Sequence, residues 1–136
     1  MDHRVILYHK QATSARTLFL MFGGQTVCAF EPLPNLSTVV STRPDTVFHP
    51  TAILNDTEKQ LGLQTDTLIY ESEFRQTVEV PEGNIEILLA NISTMDPPFD
   101  IAEKANAKFI DLTQARGLPA VELELLRSAY ELILGG

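Results

Sequence analysis

The chain is poor in cysteine. One residue, Cys28, stands in 136, which excludes an internal disulfide and a Cys-rich zinc site. It lies in the apolar run TVCAF, where a thiol reads as a small buried hydrophobe and not as a nucleophile. Basic residues are also few: Lys and Arg total 10 against 18 Asp and Glu, a net charge of −8. Extended nucleic acid is thereby disfavoured as a partner, because phosphate binding needs clustered cations. Small phosphorylated ligands stay open, since a metal or a few local cations can handle them. No apolar run approaches the roughly 18 residues of a membrane span, so no membrane partner is expected. The opening MDHRVILYHK lacks a signal-peptide pattern. Together these point to a cytoplasmic protein.

Several chemistries lack their spacing. His3, His9 and His49 are scattered, with no pair at i, i+4 and no His-Glu helix motif to hold a metal. Ser14, Ser37 and Ser41 have no elbow motif around them. Gly23-Gly24 reads as a turn and not as a phosphate-cradling loop. The chain has no internal repeat, low-complexity tract or linker, and its length suits one domain over residues 1–136.

What is present is a run of strand and helix signals. HRVILYH (3–9), RTLFLMF (16–22) and QTVCAFE (25–31) read as strands, the last two as a hairpin across Gly23-Gly24. Two prolines make EPLPNLS (31–37) an irregular connection, and STVVST (37–42) a short strand. HPTAILNDTEKQLGL (49–63) reads as a helix. Pro50 suits its first position, Phe48 and Ile53 suit a hydrophobic staple, and Gly62 suits its stop. Ile53, Leu54, Thr57 and Leu61 form its inward stripe. Residues 67–80 read as one long strand or two paired ones, PEGN (81–84) as a turn, and IEILLANIS (85–93) as the second arm of a hairpin with 75–80. A short helix suits 99–107, and AKFIDL (107–112) reads as a strand. The last helix starts near Pro119. Leu118, Val121, Leu125, Ala129 and Leu132 mark its buried face, with Leu126, Tyr130 and Ile133 beside them, while Glu122, Glu124, Arg127 and Glu131 form the wet side. Glu79, Glu82 and Glu86 around the hairpin turn read as surface charge. The fold class is α/β or α+β, with a mixed, largely antiparallel sheet.

AILNDTEKQLGL, the strands that follow it and the closing KFIDLTQARGLPAVELELLRSAYELI resemble a Nudix domain. That likeness covers most of residues 36–134. It implies an α/β/α sandwich whose loop and helix carry Gly, five residues, Glu, seven residues, then Arg-Glu-apolar-any-Glu-Glu-any-Gly-apolar. Anchored on Gly62-Leu63, Ser41 takes the first Gly, Val47 the first Glu, Asn55 the Arg, Asp56 the next Glu and Lys59-Gln60 the Glu pair. Gly62 and Leu63 match, and Asp56 is a shortened analogue. The resemblance implies hydrolysis of a diphosphate with Mg²⁺ or Mn²⁺ held by helix carboxylates. Lys59 repels a cation, and Gln60 offers only a neutral oxygen. At an effective dielectric of 20, charges about 4 Å apart interact by roughly 4 kcal/mol per unit charge, so exchanging Glu for Lys reverses a large contribution. Loss of the Arg together with its partners avoids stranding one charge. A degenerate signature and no signature fit these residues equally.

The leading expectation is therefore a Nudix-like binding or regulatory module for a small nucleotide-like ligand, with no cofactor. Its candidate binding residues are Arg43, Lys59, Gln60, Glu71 and Glu73, and Asp56 is the metal ligand if there is one. Two alternatives stand beside it. One is an active Nudix-type hydrolase of a nucleoside diphosphate derivative, using Mg²⁺ or Mn²⁺, with Asp56 and Glu58 as catalytic candidates and Glu71 and Glu73 on a shared strand face. The other is an unrelated α+β interaction domain, a homodimer through exposed strands of 67–92.

Overall fold

A computed structural model describes residues 2–11, 16–41, 49–74 and 76–135. Its elements run β1 (Asp2–Lys10), β2 (Thr17–Phe22), β3 (Cys28–Ala29), β4 (Thr38–Ser41), α1 (Pro50–Leu61), β5 (Leu68–Tyr70), β6 (Gln76–Val80), β7 (Gly83–Ile92), α2 (Phe99–Lys104), β8 (Ala107–Ile110), a 3₁₀ turn (Leu112–Ala115) and α3 (Ala120–Gly135).

The strands form one mixed sheet in the order β4-β6-β7-β1-β2-β8. β1 and β7 lie parallel at its centre, Arg4 opposite Ile87 and Leu7 opposite Ala90. All other pairings are antiparallel. Each central strand is long enough to take two partners on its outer side. β1 pairs β3 at Val5–Ile6 and β2 from Tyr8 onward. β7 pairs β6 at Gly83–Ile87 and β5 at Ala90–Ile92.

Side chains alternate across a strand, so each central strand feeds two cores. Ile6, Tyr8, Phe19, Ile85, Ile87 and Leu89 face α3, where Leu125, Leu126, Ala129 and Ile133 close the layer. Val5, Leu7, Leu20, Leu88, Ala90 and Ile92 face α1 and α2, represented by Leu54, Leu61 and Ala102. Helices on both faces make an α/β/α sandwich, as the sequence led us to expect. Parallel strands buried on both sides explain the nearly unbroken apolar runs VILY and ILLA.

Three expectations change. The arm after Gly23-Gly24 does not pair along β2. One bridge, Phe22 to Thr26, closes the turn, and β3 then crosses to β1. Residues 67–80 form two strands, β5 and β6, which pair not with each other but with different halves of β7. Between them Phe74 N–H bonds back to the Glu71 carbonyl at 3.1 Å, so Glu71 and Glu73 sit in a turn and not on one strand face. The strands of 67–92 are not an exposed unit either, because β7 is interior and β6 lies between β4 and β7.

The α1 stop is as its residues dictate. Gly62 has φ 79°, Leu63 N–H donates to the Glu58 carbonyl at 2.8 Å and Gly62 N–H to the Lys59 carbonyl at 3.3 Å. That is a Schellman closure. Pro50 fills the first turn, and His49 before it makes no side-chain cap. The Phe48 arm of the proposed staple lies outside the described residues.

Candidate functional site

A cleft of about 300 Å³ opens where α1 meets the start of β1. Ile53, Asp56, Thr57 and Gln60 line it from the helix, successive turns of one face. Val5, Arg4 and His3 line it from the strand, and Ala29, Phe30 and Glu31 form the remaining wall. Thr57 Oγ1 donates to the Ile53 carbonyl at 2.9 Å, which spends its hydroxyl within the helix.

Arg4 knits two walls together. Its Nε donates to the Glu31 carbonyl at 3.0 Å and its Nη1 to the His3 carbonyl at 2.9 Å. Nη2 stands 3.9 Å from Glu31 Oε2. The Arg4 side chain is 6% exposed and that of Glu31 74%, so the guanidinium lies at the floor and the carboxylate at the rim. Phe30 keeps 39% of its surface open and braces an edge against Phe22, ring centroids 5.6 Å apart. The cleft therefore offers an aromatic ring, an aliphatic side chain, a guanidinium, an amide and two carboxylates. Such a mixture of apolar wall and few polar groups suits a small polar molecule.

The sequence candidates divide around this cleft. Asp56 and Gln60 line it. Lys59 is exposed on α1 and lies outside the lining. Glu58 faces the sheet: it is 3% exposed, and its Oε2 accepts from Leu68 N–H at 2.9 Å, which ties α1 to the start of β5. Glu71 belongs to another neighbourhood, where the Tyr8 hydroxyl donates to its Oε1 at 2.8 Å. Burial, then the bond to Glu71 and its charge, pushes the Tyr8 hydroxyl well above the usual phenol range. Glu73 is exposed in the turn. Arg43 and Val47 lie outside the described residues, and Ser41 ends β4.

Charges that the sequence assigned to the surface are partly inside. Glu86 is 5% exposed and accepts from Thr77 Oγ1 at 3.1 Å, beside His3 in the β1–β7 register. Glu122, expected on the wet side of α3, is fully buried. It accepts from Thr26 Oγ1 at 2.7 Å and Val27 N–H at 2.9 Å. Burial raises its carboxyl above the usual range, more than these bonds lower it. The reading of residues missed His3, Arg4, Phe30 and Glu31 as a group, since they come from two segments joined only by the fold. Arg4 inside a strand of apolar residues was the one local signal. The histidines stay apart: His9 is buried with Nε2 2.8 Å from the Thr94 carbonyl, and His49 precedes α1. Among the described residues no three His, Cys, Asp or Glu side chains form a metal-ligand group.

Neither a protein-family model nor a curated protein sequence matches the chain. Among solved structures it superposes on C. elegans Ap4A hydrolase, a Nudix enzyme, with a TM-score of 0.61 over 95% of this chain and 94% of that one. The fold is Nudix-like. Identity to that structure is 18%, so the likeness is one of backbone architecture. It supports the Nudix-like α/β/α architecture over an unrelated α+β fold. No helix among the described residues is long and apolar enough to cross a membrane.

Proposed function

We propose that this Nudix-like domain is a binding module whose α1 cleft takes a small nucleotide-like ligand, without the metal-dependent hydrolysis that the fold usually supports. The observation that carries this reading is the make-up of the α1 face on the cleft, Ile53, Asp56, Thr57 and Gln60, with one carboxylate. Glu58 is committed to Leu68 N–H. The donor set does not fit Mg²⁺ well. Mg²⁺ wants near-octahedral oxygen ligands, of which carboxylates neutralise its charge. Glu31, the second carboxylate of the cleft, faces the Arg4 guanidinium. That leaves Asp56 with a neutral amide beside a fixed positive charge, which opposes a dication. The Phe30 ring, 39% exposed on the cleft, suits an aromatic base.

The fold neighbour's activity makes Ap4A the first probe. Calorimetric titration with Ap4A and a panel of nucleoside diphosphate derivatives, with and without Mg²⁺ or Mn²⁺, is expected to show binding that needs no metal and no turnover. Phe30→Ala should weaken that binding, and Asp56→Ala should leave it unchanged or tighten it, since no metal bridges the carboxylate to the ligand. Metal-dependent turnover lost in Asp56→Ala would defeat the proposal and establish the hydrolase instead.

A further inference from the structure

The cleft wall formed by Ala29, Phe30 and Glu31 has little regular structure of its own. β3, two residues long, is its only strand, held to β1 at Val5 and Ile6. What fixes the rest comes from the opposite layer of the sandwich. Glu122, in the first turn of α3, accepts Val27 N–H on Oε1 and Thr26 Oγ1–H on Oε2. Leu33, at the far end of the segment 26–33, is partly buried against the core that α3 closes. Thr26 Oγ1 in turn accepts Cys28 N–H at 3.0 Å. One buried side chain thus grips the start of the segment 26–33, and the cleft wall follows directly after the grip.

A residue with only a packing role at this site would be apolar, because a buried carboxylate is costly and a hydrophobe of similar volume avoids the cost. Both donors on Glu122, the Thr26 hydroxyl and Val27 N–H, lie at the start of that segment. We propose that Glu122 is a positioning residue for the cleft: by clamping Thr26 and Val27, immediately before the wall, it sets where Phe30 and Glu31 stand opposite Asp56 and Gln60. The relevance to binding rests on the proposed function, but the clamp itself is a property of the chain without ligand.

Hydrogen exchange by mass spectrometry on the intact chain, without ligand, tests it. Glu122→Leu should speed exchange across 26–33 by about tenfold relative to the remaining sheet, as local opening does. Glu122→Gln keeps an acceptor for Val27 N–H and should stay closer to wild type. Leu126→Ala, one turn further along α3, serves as a control that loosens the helix packing but keeps the carboxylate. Thr26→Val removes one grip at nearly constant volume and should open the same segment, which keeps the test valid if Glu122→Leu does not fold. The clamp is refuted if exchange in 26–33 stays at the wild-type rate in Thr26→Val, or rises in Glu122→Leu no more than in Leu126→Ala. Failure of wild type to bind Ap4A would instead count against the binding reading alone.

Discussion

Glu58 tests whether position on a helix or partner in the fold decides a residue's role. By sequence it is a catalytic candidate. In the fold it is a buried acceptor for Leu68 N–H at 2.9 Å. Leu68 is itself only 7% exposed, so no water replaces a lost partner easily. Glu58→Leu fills the volume but strands that N–H. An unsatisfied buried donor costs about 1–3 kcal/mol, so a destabilisation near 2 kcal/mol follows. For a domain of this size the unfolding entropy converts that to a Tm lower by about 7 °C. Glu58→Gln keeps an oxygen acceptor and should cost well under half as much. Thermal and urea unfolding of the three proteins gives the stability order, wild type at or slightly above Gln, and Leu lowest. Titration with Ap4A gives the second half: Glu58→Gln should bind as wild type does. A Gln variant that keeps its Tm but loses binding or turnover would refute the structural assignment, because loss of charge without loss of the bond would then be what mattered.

Gly62→Ala should lower stability by about 1 kcal/mol, since the residue must hold φ 79° while its added Cβ meets nothing within 4 Å; urea midpoints measure it. Glu122 has a raised carboxyl pKa in the fold. The native state therefore holds that proton more tightly than the unfolded chain, and its share of stability is greatest at low pH and falls as pH rises through the window between the two values. The stability of wild type minus that of Glu122→Gln should decrease across that window, and a flat or rising difference would contradict the burial argument. Asp111 behaves in the opposite sense. Its carboxylate accepts from Thr113 Oγ1 and from Gln114 N–H at 3.1 Å, bonds that pull its pKa below the usual value. Carboxyl NMR titration should place its midpoint below the ordinary Asp value, and Thr113→Ala should move it back up.

The sequence by itself determined the local events. Pro50 and Gly62 bracket α1, PEGN turns β6 into β7, and the β-branched and aromatic runs mark strands. These signals act within a few residues through sterics and backbone hydrogen bonding, so they need no partner to be read. The order of those elements gave only the class, α/β or α+β with a mixed sheet, and the covering of both faces came from the Nudix resemblance. Where Glu58, Glu86 and Glu122 went did not follow. A lone carboxylate reads as solvent-facing until a distant donor is brought to it, and those donors are Leu68 N–H, Thr77 Oγ1 and the Thr26–Val27 pair. The cleft has the same origin. His3 and Arg4, Phe30 and Glu31, Asp56 and Gln60 belong to three stretches of chain, and only the packing of α1 and the crossing of β3 onto β1 place them around one space.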